Sequence, residues 1–103
     1  MGGMTENIYP SRADRLTAVL TEVFAPVVLR VTDDSAHHAG HMGAAVGGQT
    51  HYSVLLVSEA FRGVNRVARS RAVHEALAAE FAGGMHALAL RLRTPEEQER
   101  AGD

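Results

Sequence analysis

Apolar residues recur along this chain with two alternating periods. Leu16, Val19, Leu20, Val23 and Phe24 are spaced by three and four, the stripe of a helix that buries one side, with Arg15, Thr17 and Glu22 largely off it. Ser11 with Asp14 three residues on resembles a capping box in which the shorter Asp stands in for Glu. Pro26 stops the helix. Val27 to Thr32 is rich in β-branched residues and alternates around Arg30, which predicts a first strand. Gln49 to Ser58 predicts a second, with a buried end at Val54-Leu55-Leu56-Val57. Ser58 to Phe61 makes one helical turn before Gly63. Asn65 then caps a longer helix whose buried side is read as Val67, Val73, Ala76, Leu77 and Phe81, and which ends at Gly83-Gly84. His86 to Arg93 alternates with period two, His86, Leu88, Leu90 and Leu92 on one face and Ala87, Ala89, Arg91 and Arg93 on the other, a third strand. Thr94-Pro95-Glu96-Glu97 opens a last helical turn with Pro at its first position.

The order α-β-β-α-α-β predicts a mixed α/β (α+β) domain with a three-stranded mixed sheet and helices packed on one face. The first two strands pair antiparallel across a loop, and the third returns parallel after a helical crossover. Residues 1–10 read as a flexible tail, 11–98 as one domain, and 99–103 as a charged, solvated tail.

Composition narrows the class. A chain of 103 residues with 46% hydrophobic residues buries a core without disulfides, and there is no cysteine to make one. Thiol catalysis is excluded for the same reason. The formal charge of −2 provides no global field for nucleic acid; all ten basic residues are Arg. The start MGGMTENIYP has neither a basic opening nor an apolar core, so it does not read as a signal peptide. No apolar run approaches the ~20 residues of a membrane span, and the expected location is the cytoplasm.

The candidate chemistry lies in six histidines. His37, His38 and His41 fall in a long loop over residues 33–49 that also carries Gly40, Gly43, Gly47 and Gly48. A loop of that length in a small domain is more often functional than not. His51 opens the second strand and His86 the third; His74 lies mid-helix and reads as a surface or packing residue. Imidazole is the commonest protein metal ligand. In a chain without thiols, a soft metal or a cluster needs a partner to supply sulfur, so the pattern points to a shared site. His51 reads as structural, bonded to the first loop or to Asp33 or Asp34, or else as a group that orients a metal ligand or is an alternative ligand itself. His38, His41 and Asp33 or Asp34 could make a hydrolytic zinc site, a reading that no ligand spacing strongly supports. No catalytic triad or phosphate loop is present, so the chain reads as non-enzymatic.

Arg62, Arg66, Arg69 and Arg71 form a basic cluster around the start of the long helix. It is either a solvated face with Glu59 and Glu75 nearby, or a surface for an acidic partner or for nucleic acid.

Taken in order, Phe24-Ala25-Pro26, Asp33-Asp34-Ser35 with His38, Gln49-Thr50-His51-Tyr52, Val57-Ser58 with Phe61 and Gly63, Arg69-Ser70-Arg71-Ala72-Val73, Leu77 with Glu80, and His86-Ala87-Leu88 followed by Thr94-Pro95-Glu96 resemble the BolA family over most of residues 11–98. Ser70 stands where the family usually has His between two arginines. The resemblance implies a KH-like type II domain. It also implies a monothiol glutaredoxin partner and a [2Fe-2S] cluster shared with that glutaredoxin and glutathione. The protein ligands would be His86 and a loop histidine, His38 first, His41 as the alternative and His37 third. Imidazole ligands in place of thiolates raise a cluster's potential and make ligation acid-sensitive. The resemblance further implies a second reading, DNA binding by a KH-like transcription regulator through the arginine cluster; a stand-alone histidine metal protein is the third. The free chain is expected to be a monomer or weak homodimer.

Overall fold

The structure, a computed structural model, describes residues 11–34 and 50–102. Within them, α1 (Arg12–Phe24) leads into β1 (Val28–Asp33) and β2 (His51–Val57). A 3₁₀ turn (Glu59–Phe61) and helices α2 (Arg66–Ala76) and α3 (Ala78–Ala82) then cross to β3 (Ala87–Arg93), followed by α4 (Pro95–Ala101). The sheet order is β1-β2-β3, with β1 antiparallel and β3 parallel to β2. This is the predicted mixed sheet.

The helix starts follow the residues that cap them. Ser11 Oγ accepts from the Asp14 N–H at 3.1 Å, Asn65 Oδ1 from Ala68 N–H at 2.9 Å, and Thr94 and Glu97 form a full capping box ahead of Pro95. α1 ends with Ala25 in the left-handed region (φ 47°), its N–H bonded to the Thr21 carbonyl, and Pro26 takes the chain out into β1. The buried Ser58 hydroxyl donates to the Phe24 carbonyl at 2.6 Å and accepts from Ala60 N–H, joining the end of α1 to the 3₁₀ turn.

The core gathers Leu16, Leu20 and Phe24 of α1, Tyr52, Val54 and Leu56 of β2, and Phe61, Val73, Leu77 and Met85. Leu88, Leu90 and Leu92 pack against it from β3, as the alternation predicts. Val23 and Val67 depart from the predicted stripes: both are exposed, at 56% and 61%. The inward place on α2 near its start belongs to Arg69, one turn before Val73 and two before Leu77.

The single helix predicted from Asn65 to Phe81 is two. Leu77 leaves helical geometry (φ −104°, ψ 17°), and the chain restarts as α3. The turn brings Glu80 to α1, where its carboxylate accepts from Arg12 Nε at 2.8 Å and Arg15 Nε at 2.7 Å. Arg12 also donates to the Gly83 carbonyl at 2.9 Å. The final helix runs through Ala101, beyond the single turn expected, with Gly102 as its left-handed cap.

Candidate functional site

The two described histidines at the sheet's end are brought together by the parallel pairing of β2 and β3. His51 of β2 sits opposite Ala87, one residue after His86. Their rings meet edge to face, 5.9 Å between centroids and 84° apart. His86 is exposed and His51 half-buried, its Nδ1 within 2.9 Å of Thr50 Oγ1. Tyr52, next along β2, points the other way into the core. Burial first, and then the Asp33 carboxylate opposite it, push its phenol up to about 12, so it stays protonated.

Backbone bonds fix this corner. The His86 and Ala87 N–H groups both donate to the Thr50 carbonyl, at 2.8 and 3.1 Å. The Asp34 N–H donates to the His51 carbonyl at 2.7 Å, and the Ser53 hydroxyl donates to the Asp34 carboxylate. The described chain therefore breaks off at Asp34, bonded to His51 from the β1 side of β2, and resumes at Thr50, bonded to His86 on the β3 side. His37, His38 and His41 lie outside the described residues.

The approach to His86 is built by residues that sequence reasoning passed over. Gly84 has φ +118°, open to glycine alone, and lies against the Arg12 guanidinium. Arg12 is buried, holding Glu80 with one edge of its fork and Gly83 with another. Arg15 first, together with Arg12, holds the Glu80 carboxyl below the usual range. A cation in the first turn of α1 opposes the helix dipole, and that conflict is the signal in the sequence that Arg12 has a partner elsewhere.

The arginine cluster divides. Arg69 is 8% exposed. It donates to the Val64 carbonyl at 2.7 Å and the Leu92 carbonyl at 3.0 Å, grips Glu97 with both terminal nitrogens, and lies over the Phe61 ring at 5.5 Å. Arg69 first, and then the Thr94 N–H, hold the Glu97 carboxyl down to about 2. This corrects the reading of Arg69 as part of an open binding surface: an inward guanidinium that replaces an apolar core residue has to satisfy its donors inside. Arg62 is exposed and pairs with Glu59 and Glu96, both at 2.7 Å. Arg66 and Arg71 are exposed and form no ion pair among the described residues. His74 is exposed, bonded to the Ser70 carbonyl and stacked on Phe81, as the surface-or-packing reading expects.

Among the described residues no three metal-ligating side chains converge. The described part of the site offers two imidazoles, a donor set that fits a soft metal group only if further ligands come from elsewhere.

A family model described as BolA-like protein matches residues 20–97. The chain belongs to the BolA-like family. It is 37% identical over 97 residues to the chloroplastic protein BOLA1 of Arabidopsis thaliana, covering 92% of this chain and 61% of that one. It is 38% identical over 91 residues to SufE-like protein 1 of the same plant, covering 84% of this chain and 24% of that protein. The chain thus spans less than two thirds of the length of each of these two relatives. Among solved structures, the fold is similar to BolA1 and to the BolA domain of SufE1 from Arabidopsis thaliana, each at TM-score 0.75 and 39% identity, covering 84% of this chain and 95% of the other. The four helices and three-stranded mixed sheet are the BolA-like fold. No helix among the described residues is long and apolar enough to cross a membrane.

Proposed function

We propose that this BolA-like chain binds a monothiol glutaredoxin and shares a [2Fe-2S] cluster with it and with glutathione, in iron–sulfur cluster trafficking or iron-linked regulation. The observation that carries this reading is the convergence at one end of the sheet. His86 stands exposed just before β3, its N–H bonded to Thr50 at one end of the histidine-bearing segment 35–49, while Asp34 at the other end is bonded to His51, whose ring meets that of His86. One fixed ligand and one on a tethered segment can close on a group that a partner presents. His86 is the fixed ligand. His38 is the first choice for the second, and His41 is the alternative. His51 supports the His86 ring from its edge. The absence of cysteine fits a site whose sulfur comes from the partner. A BolA domain joined to a SufE-like protein in a relative lends support to an iron–sulfur role.

The nucleic-acid reading keeps only Arg66 and Arg71 as exposed, unpaired cations of its four arginines, which is a weak electrostatic footprint. Isothermal titration of the chain against a monothiol glutaredoxin, apo and cluster-loaded, tests the proposal. One-to-one binding that tightens when the cluster is present supports it; no binding to either form contradicts it.

A further inference from the structure

The C-terminal half of β3 floors a cavity of about 600 Å³ walled by α2 and α4. It is remote from the histidine corner: His86 and Arg91 are five residues apart along an extended chain, roughly 16 Å at ~3.3 Å per residue. β3 is an edge strand. In a parallel ladder, alternate residues turn both backbone groups toward the neighbour and the residues between turn both away. Ala87 donates to Thr50 and Arg93 accepts from Ser58, so residues 87, 89, 91 and 93 face β2. Leu88, Leu90 and Leu92 therefore direct their N–H and C=O groups outward. Arg69 bears this out, since its Nη1 donates to the Leu92 carbonyl from that side. The Leu90 N–H and C=O and the Leu92 N–H are left as a template for an added strand.

The surroundings are cationic although the chain is acidic overall. Arg66 on α2 and Arg100 on α4 are exposed at the two walls, and Arg91 stands at the floor. The one lining carboxylate, Glu97, is already held by Arg69 and by the Thr94 N–H. A phosphodiester backbone would offer acceptors only, leaving the Leu90 carbonyl without a donor, whereas a peptide offers donors and acceptors alternately. We infer that the outer edge of β3 takes an extended acidic peptide as an additional strand, its backbone paired with Leu90 and Leu92 and its carboxylates held by Arg66 and Arg100. The inference is independent of the cluster reading, because the site is formed without the histidine corner.

The probe is a fluorescent peptide of alternating glutamate and valine, followed by anisotropy and by amide hydrogen exchange of the chain. Binding is expected to protect the Leu90 and Leu92 amides. Binding should weaken about tenfold or more in the variant carrying both Arg66→Glu and Arg100→Glu, as for charge reversal at a salt-sensitive contact. It should vanish when the peptide is N-methylated throughout, which keeps its charge and removes its donors. Equal binding of the N-methylated peptide, displacement by a single-stranded oligonucleotide at similar concentration, or protection elsewhere on the chain overturns the inference. Self-association through this edge with the peptide excluded would also overturn it, in favour of a second copy as occupant.

Discussion

The N–H of His86 donates to the carbonyl of Thr50 at 2.8 Å, joining the first residue before β3 to the residue where the histidine-bearing segment re-enters the sheet. The bond sets where the His86 side chain stands relative to the Thr50 end of that segment. It depends on the backbone, so it survives replacement of the imidazole. His86→Ala is accordingly expected to leave thermal unfolding unchanged within about 0.5 kcal/mol, the usual range for an exposed site, while abolishing cluster binding. Circular dichroism in the far ultraviolet checks the first half.

His51 has a subordinate place. Its ring supports the edge of His86 and bonds to Thr50. His51→Ala should keep the cluster but shed it faster, by about tenfold, the lower end of the effect of losing a residue that orients a metal ligand. The rate of cluster loss to a chelator measures it.

Gly84 and Arg12 hold the approach to His86. Gly84→Ala forces φ +118° on a residue with a Cβ and should cost about 1–3 kcal/mol. Arg12→Met leaves the Gly83 carbonyl without its donor and Glu80 with Arg15 alone, and should destabilise by about 1–3 kcal/mol. Urea unfolding of both variants gives the values.

Arg69 and Glu97 make stability depend on acid. The folded Glu97 carboxyl sits at about 2, below the 4.5 of the free group, so its contribution is complete above 4.5 and is lost as pH falls toward 2. Glu80, also lowered, adds loss in the same direction. Arg69→Ala should cost about 2–4 kcal/mol, somewhat below the figure for breaking a fully buried pair because Glu97 is partly exposed. Glu97→Gln should flatten the decline in melting temperature between pH 4.5 and 2. An equally steep decline in that variant would contradict the assignment.

Much of the fold was legible because local signals agreed. Pro26, the caps at Ser11, Asn65 and Thr94, and the alternation of Leu88, Leu90 and Leu92 each mark an element that the structure contains. The break at Leu77 was not legible, because the sequence stays helical there and the contacts made by α3 beyond the break are to two arginines of α1 sixty-odd residues away. Arg69 was misread for a related reason. Its position looks like one of a run of surface cations, and only the arrival of Phe61 and Glu97 in space makes it an interior residue. At the candidate site the pairing of His51 with His86 follows from strand register, which no residue in either strand announces. The proposed loop ligand, His38 or His41, comes from the resemblance to the family, and both residues lie outside the described residues.

The central claim is tested most directly by visible circular dichroism of a reconstituted glutathione-ligated [2Fe-2S] monothiol glutaredoxin, titrated with this chain and with His86→Ala. The account predicts a spectral change that saturates at one equivalent with the native chain and is absent with the variant. An unchanged spectrum with the native chain, or the same change with both, would contradict ligation through His86.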